Sequence, residues 1–321
     1  MNETATDPAA PVTANIGKFQ HADVTADGSA RARVAFSDPQ TIWFNTGTLC
    51  NITCVNCYID SSPTNDALVY ITTDEVNAYL DELDGLSWSV REIAFTGGEP
   101  FMNPEMCAMA RAALTRGYEV LILTNAMLPM MRPTVREDLR ALQADYGDKL
   151  TLRVSLDHWS EAAHDAMRGT GSFKRTIAGM DWLRDHGLRM AVAARSLWHE
   201  TDAQTRAGFA ALYATNNYNI DAQDPAMTVI FPEMDESVEV PEITTACWGI
   251  LDKSPQSVMC ASSRMVVKRK GEAPSVVACT LLPYDRAFDL GATLDGATRD
   301  VALNHPHCAK FCVLGGASCS A

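Results

Sequence analysis

Cys50, Cys54 and Cys57 form a C-x3-C-x2-C set within the segment TGTLCNITCVNCY. Structural zinc normally takes four ligands, commonly as two paired sets. Three thiols on one short loop close three corners of a metal centre and leave the fourth open. A [4Fe–4S] cube held this way keeps one iron free for another molecule. The spacing leaves two other readings standing: a zinc site completed by a remote ligand, and three unrelated buried thiols.

Other residues carry chemical potential. In Thr96-Gly97-Gly98-Glu99-Pro100, the two glycines let the backbone approach a ligand closely, Glu99 offers an anion for an ammonium group, and Pro100 stiffens the exit. Ser155-Leu156-Asp157 and Arg168-Gly169 are further candidates, and Thr124 and Asn125 also point to the site mouth. Five of the ten cysteines lie from Cys260 onward. Cys260 and Cys279 flank a hairpin turn expected at Lys270-Gly271, and Cys308 and Cys312 form C-x3-C. Two paired sets make a closed four-thiolate site, which suits zinc as well as iron. Cys319 is a fifth candidate ligand or a bystander. Cys107 and Cys247 read as packing thiols, with Cys247 open to recruitment. His305 and His307 flank Cys308 and read as surface hydrogen-bonding groups rather than ligands.

Positioning these groups falls to alternating strands and helices. Short apolar runs at 41–45, 92–96, 119–124, 151–157, 189–194 and 228–231 read as strands. Amphipathic stretches at 76–83, 104–116, 135–146, 172–186 and 202–215 read as helices, the first opened by a Thr72/Glu75 capping box and stopped at Gly85. Six alternations imply right-handed parallel crossovers, in an α/β open sheet or a partial barrel. The candidate groups sit at strand carboxyl ends, where such folds place ligands. Residues 1–38, rich in Ala, Thr, Asp and Pro, read as a flexible N-terminal tail, 39–235 as the α/β domain, and 236–321 as a small cysteine-rich C-terminal module. The acidic, Pro-bounded run PEMDESVEVP reads as the linker between the last two.

Composition sets the outer limits. The 321 residues carry a net charge of −14, which argues against nucleic acid as the main partner. No apolar run approaches the roughly 20 residues that span a bilayer, and the N-terminal stretch lacks the pattern of a secretory signal. A cytoplasmic protein is expected, whose cysteines bind metal, do chemistry or pack rather than form disulfides.

Taken together, the cysteine loop, the strand after it and the downstream residues resemble the radical S-adenosylmethionine (SAM) enzymes over about residues 40–232. The resemblance implies a partial (β/α)6 TIM-like barrel. It also implies that Cys50, Cys54 and Cys57 hold a catalytic [4Fe–4S] cluster whose open iron chelates the amino and carboxylate groups of SAM. Reduction then cleaves SAM to methionine and a 5′-deoxyadenosyl radical, which abstracts a substrate hydrogen. Gly97, Gly98, Glu99 and Pro100 resemble the GGEP motif that contacts the SAM amino group. Ser155 and Arg168 resemble residues that reach SAM, Arg168 through the methionyl carboxylate, for which its planar fork suits; a solvated helix charge is the alternative. Asp157 is a candidate to orient a SAM or substrate hydroxyl. One departure is visible: the aromatic residue common just before the third cysteine is Asn56 here, with Tyr58 just after.

The C-terminal layout is similar to the family's auxiliary iron–sulfur modules, called SPASM with two clusters and twitch with one. Cys260, Cys279, Cys308 and Cys312 suffice for one cluster, so twitch is favoured. The implied substrate is a peptide undergoing maturation or a small molecule undergoing oxidation. The basic run Arg264, Lys268, Arg269 and Lys270 reads either as a docking face for an acidic electron donor, such as a flavodoxin or ferredoxin, or as a solvated hairpin face. The competing function is an iron–sulfur electron carrier or redox sensor that has kept the scaffold without SAM cleavage.

Overall fold

A computed structural model describes residues 17–196, 199–233 and 238–315. Strands β1 (Arg33–Val34), β2 (Thr41–Asn45), β3 (Glu92–Thr96), β4 (Glu119–Thr124), β5 (Leu150–Ser155), β6 (Arg189–Ser196), β7 (Thr228–Pro232), β8 (Ser263–Val267), β9 (Ser275–Val277), β10 (Asp289–Gly291) and β11 (Val301–Ala302) alternate in the first two-thirds with helices α1 (Thr73–Gly85), α2 (Met106–Thr115), α3 (Pro133–Tyr146), α4 (Glu161–Arg168), α5 (Ser172–Asp185) and α6 (Asp202–Asn216).

Strands β2 to β7 pair successively in parallel, giving the six-unit arrangement expected, within a sheet ordered β10-β9-β8-β2-β3-β4-β5-β6-β7. Period-2 alternation sorts each strand into two faces. Phe44, Phe95, Ile122, Val154 and Val192 join the core between sheet and helices. Trp43, Thr96, Leu123, Ser155 and Ala193 line the interior instead. Register fixes their depth: Asn45 pairs with Thr96, Leu123 with Arg153, and Ser155 with Ala193. The strand carboxyl ends therefore form one rim.

Local chemistry explains the helix starts. Thr72 and Glu75 complete a capping box for α1, Thr201 and Gln204 do so for α6, and Pro133 opens α3. Helix α4, outside the expected amphipathic stretches, is one eight-residue segment whose buried residue is His164.

The cysteine-rich C-terminal module is joined to the barrel, its strand β8 pairing in parallel with β2 and extending the sheet. Met265, Val266 and Val267 are fully buried there, so the strand is apolar on both faces and gives no alternation to read. The hairpin into β9 forms as expected, with Gly271 at φ +79°. Residues 17–34 are likewise docked rather than loose. Strand β1 pairs with β11, and the buried Arg31 bonds the carbonyls of His21, Val24 and Leu303 and the carboxylate of Glu242. Glu242 also accepts the amides of Phe19 and Ala26. Residues 1–16, and 234–237 of the expected linker, lie outside the described residues. No helix among the described residues is long and apolar enough to cross a membrane.

Candidate active site

The loop bearing Cys50, Cys54 and Cys57 leaves the end of β2 and packs on the end of β3. Thr46 N–H donates to the Thr96 carbonyl at 2.8 Å, Gly98 N–H to Gly47 at 2.9 Å, and Glu99 N–H to Leu49 at 3.1 Å. A Cβ on Gly98 would stand 2.3 Å from the Leu49 carbonyl oxygen, and one on Gly97 (φ +149°) 2.5 Å from that of Gly47. Glycine at both positions is what lets the loop lie against the strand end. The three thiols then line one cavity with Gly97, Gly98, Thr124, Asn125, Ser155, Arg168 and Arg195. Burial, with help from Glu99 and the neighbouring thiols, pushes Cys50 up to about 12. Burial also raises Cys54, against the pull of Arg168. Thiols raised this way need a strong positive charge to ionise, and a bound metal supplies one.

Beside this cavity lies a second, mainly apolar one of about 120 Å³, walled by Trp43, Leu123, Ala194, Leu281, Phe231 and Phe311. Tyr58, Thr96, Leu123, Ser155, Arg168 and Arg195 face both. The Tyr58 hydroxyl and Thr96 Oγ1 are 3.2 Å apart, so the ring that faces the interior follows the third cysteine. Asn56 adopts φ +51°, a conformation that Asn tolerates better than bulky residues, and donates to Glu233 Oε1 at 2.5 Å.

Charge concentrates on Asp157 at the end of β5. Arg168 grips it with two bonds, Nε to Oδ2 at 2.7 Å and Nη2 to Oδ1 at 2.8 Å, while Arg195 Nε lies 3.4 Å away. Burial opposes the charge on Asp157, but the two guanidinium groups outweigh it and hold the carboxyl below its ordinary range. Burial likewise opposes the charge on Arg168, and Asp157 and Cys54 reverse the balance.

A third cavity is ringed by Cys260, Cys279, Cys308, Cys312, His307 and Leu281. Leu281 is also a wall of the apolar cavity. Cys308 and Cys312 share one wide-wound π-type segment, Cys308–Leu314. Burial raises Cys260 to about 11 and Cys308 to about 12. Among the described residues no three His, Cys, Asp or Glu side chains converge closely enough for a single metal ion, and the thiols line cavity walls instead. The order in space is three-cysteine cavity, apolar cavity, four-cysteine cavity.

Residues 44–202 match the family profile described as the Radical SAM superfamily. The chain belongs to the radical SAM superfamily. It is 32% identical over 147 residues to the "AdoMet-dependent heme synthase" of Methanosarcina barkeri, covering 46% of this chain and 39% of that protein. It is 29% identical over 184 residues to the "Antilisterial bacteriocin subtilosin biosynthesis protein AlbA" of Bacillus subtilis, covering 56% of this chain and 38% of that protein. The chain thus aligns with about two-fifths of the length of either relative. The crystal structure of Streptococcus suis SuiB bound to S-adenosylmethionine superposes with TM-score 0.58 at 11% identity, over 80% of this chain and 64% of that one, a likeness of fold.

Within this radical SAM fold the sequence candidates divide. Cys50, Cys54, Cys57, Gly97, Gly98, Ser155 and Arg168 come together around the first cavity. Glu99 does not face it: the carboxylate is buried and accepts Phe101 N–H, Thr124 Oγ1–H and Asn125 N–H at 3.2, 2.9 and 2.8 Å. These bonds tie β3 to the β4 loop, and Pro100 is buried behind it. Burial lifts Glu99 to about 7 despite those bonds. Asp157 is engaged by two arginines. Cys260, Cys279, Cys308 and Cys312 meet, whereas Cys319 lies outside the described residues. Cys247 accepts the Thr244 amide at 3.4 Å, and Cys107 packs against the core. His307 is buried beside the four thiols rather than at the surface.

The basic run is not one continuous exposed face: Arg264 and Arg269 are buried, and Lys270 is the exposed member. Arg264 is buried, donates to the carbonyls of Cys260, Ser263 and Ala297, and lies 3.9 Å over the Phe36 ring. Burial lowers it to about 10. Arg269 pairs with Asp289, Lys268 with Glu75 and Lys270 with Asp66. Sequence reasoning missed Arg195, Leu123, Leu281, Phe231 and Phe311. For Leu123 and Arg195 the available signal was their place at strand carboxyl ends.

Proposed function

We propose that this chain is a radical SAM enzyme acting on a largely apolar substrate group, and that the three-thiol cavity sharing a wall with the apolar cavity carries the reading. The donor set fits the cofactor: three thiols face one space, and the bare backbone of Gly97 and Gly98 gives it room that any Cβ would close. Cys50, Cys54 and Cys57 would hold a [4Fe–4S] cluster, with Ser155, Arg168 and Tyr58 among the groups facing bound SAM. Cluster and SAM together supply a 5′-deoxyadenosyl radical that takes a hydrogen atom from substrate.

The chain's own work is placement. Asp157 occupies the Nε–Nη2 edge of Arg168 and fixes the guanidinium on the cavity wall, so that a SAM carboxylate would meet its remaining N–H groups. Trp43, Leu123, Phe231 and Phe311 give the space beside it a largely apolar wall. Cys260, Cys279, Cys308 and Cys312 would hold an auxiliary cluster on the far side of Leu281, suited to taking the second electron of an oxidation. The AlbA relative, named for bacteriocin biosynthesis, favours peptide maturation. The heme synthase relative favours oxidation of a small molecule as the second reading. A cytoplasmic setting and a low-potential donor such as a flavodoxin or ferredoxin complete the proposal, without support from the basic run. The test is anaerobic incubation of reconstituted protein with SAM and dithionite. The proposal expects 5′-deoxyadenosine from the wild type and none from C50A; no product from fully loaded wild type, beside an active control enzyme, overturns it.

A further inference from the structure

Arg195 stands at the rim end of β6 and is not among the residues whose spacing announces a site. We propose that it is a positioning residue, clamping the Cys54–Cys57 half of the cysteine loop and setting positive charge on the wall between the first two cavities. Its Nη1 donates to the carbonyl of Val55, one residue past Cys54, at 3.0 Å. Its Nε faces Asp157 Oδ1 at 3.4 Å, and its own amide donates to the Asp157 carbonyl at 3.0 Å. On the other side, the Val55 amide donates at 2.8 Å to Met167, the residue before Arg168. The loop tip is thus held through both its carbonyl and its amide by groups that converge on Asp157.

Packing does not substitute for these bonds, because Val55 is 51% exposed. The Cys50 end is anchored separately, by Cys50 N–H on the Ser62 carbonyl and Glu99 N–H on Leu49. Arg195 therefore serves the half of the loop that the β3 end does not reach. Asp157 neutralises only one of the two arginines beside it, which leaves net positive charge facing both cavities. That charge favours a cluster carrying one more electron. The clamp stands on geometry, and its meaning for a cluster rests on the function proposed above.

The experiment compares R195Q and R195K with wild type, using the full chain as purified and after anaerobic reconstitution. It reads hydrogen exchange at the Val55 amide and the midpoint potential of the first cluster. R195Q is expected to speed Val55 exchange about tenfold, since a charged donor is lost from the loop, and to shift the potential to more negative values. R195K keeps the charge and is expected to hold the potential near wild type while still speeding exchange, because an ammonium lacks the fork that spans Val55 and Asp157. If R195Q fails to fold, R195K alone reads the clamp. Wild-type exchange at Val55 in the folded variants overturns the proposal. Because exchange is also read before the cluster is loaded, it stands or falls apart from SAM cleavage.

Discussion

Phe231 stacks on Phe311, with ring centroids 5.1 Å apart and planes inclined by 24°. One ring belongs to β7 and the other to the π-type segment between Cys308 and Cys312, so the pair joins the barrel to the four-cysteine region. Phe311 is buried while also walling the apolar cavity. F311A is expected to cost about 3–5 kcal/mol of stability, the usual range for a buried Phe truncation. Denaturant unfolding measures it, and a loss under 1 kcal/mol contradicts the joint.

Asp157 holds two arginines whose side chains are 11% and 13% exposed. D157N leaves both cations without their carboxylate, and breaking a buried pair from one side costs about 3–5 kcal/mol. The folded Asp157 pKa lies below its ordinary value, so its contribution is present above about pH 4 and fades as pH falls through the folded value. D157N is expected to lack that acid-side loss, which pH-resolved thermal melts would show; parallel melting curves for both proteins would refute the assignment.

Glu99 behaves with the opposite sign. Burial lifts its carboxyl from 4.5 to about 7, so the fold favours the protonated form. Its contribution is complete below about pH 4.5 and is lost as pH rises through about 7, amounting to about 3 kcal/mol. In cluster-free protein, E99Q is expected to flatten the stability profile between those limits. An unchanged slope would contradict the burial argument.

Gly98 tests the cradle. In G98A the new Cβ meets the Leu49 carbonyl at 2.3 Å and must push the cysteine loop off β3. Iron held by the three-cysteine site is expected to fall several-fold while the four-cysteine site keeps its own. Metal analysis of anaerobic preparations decides, and full loading of both sites would be the contrary outcome.

Much of this arrangement was legible beforehand, for identifiable reasons. Strands 92–96 and 119–124 are bounded by turns and carry their own apolar pattern, so their limits match the structure. The cysteine loop was legible because ligand spacing is local. Relations across the fold were not. Glu99 reads as a ligand group until β4 supplies Thr124 and Asn125 to occupy its oxygens. Arg264 reads as a surface charge until Phe36 and the Ala297 carbonyl enclose it. Strand β8 carries no mark in its own residues of pairing with β2, because parallel partners are set by topology rather than by a turn.

The central claim is that the site of Cys50, Cys54 and Cys57 keeps one iron open to SAM. Paramagnetic resonance of the dithionite-reduced C260A/C279A/C308A/C312A variant, recorded with and without SAM, examines that site by itself. The account predicts a cluster signal that changes shape when SAM is added. A reduced cluster whose spectrum is indifferent to saturating SAM would contradict it and favour a simple electron carrier.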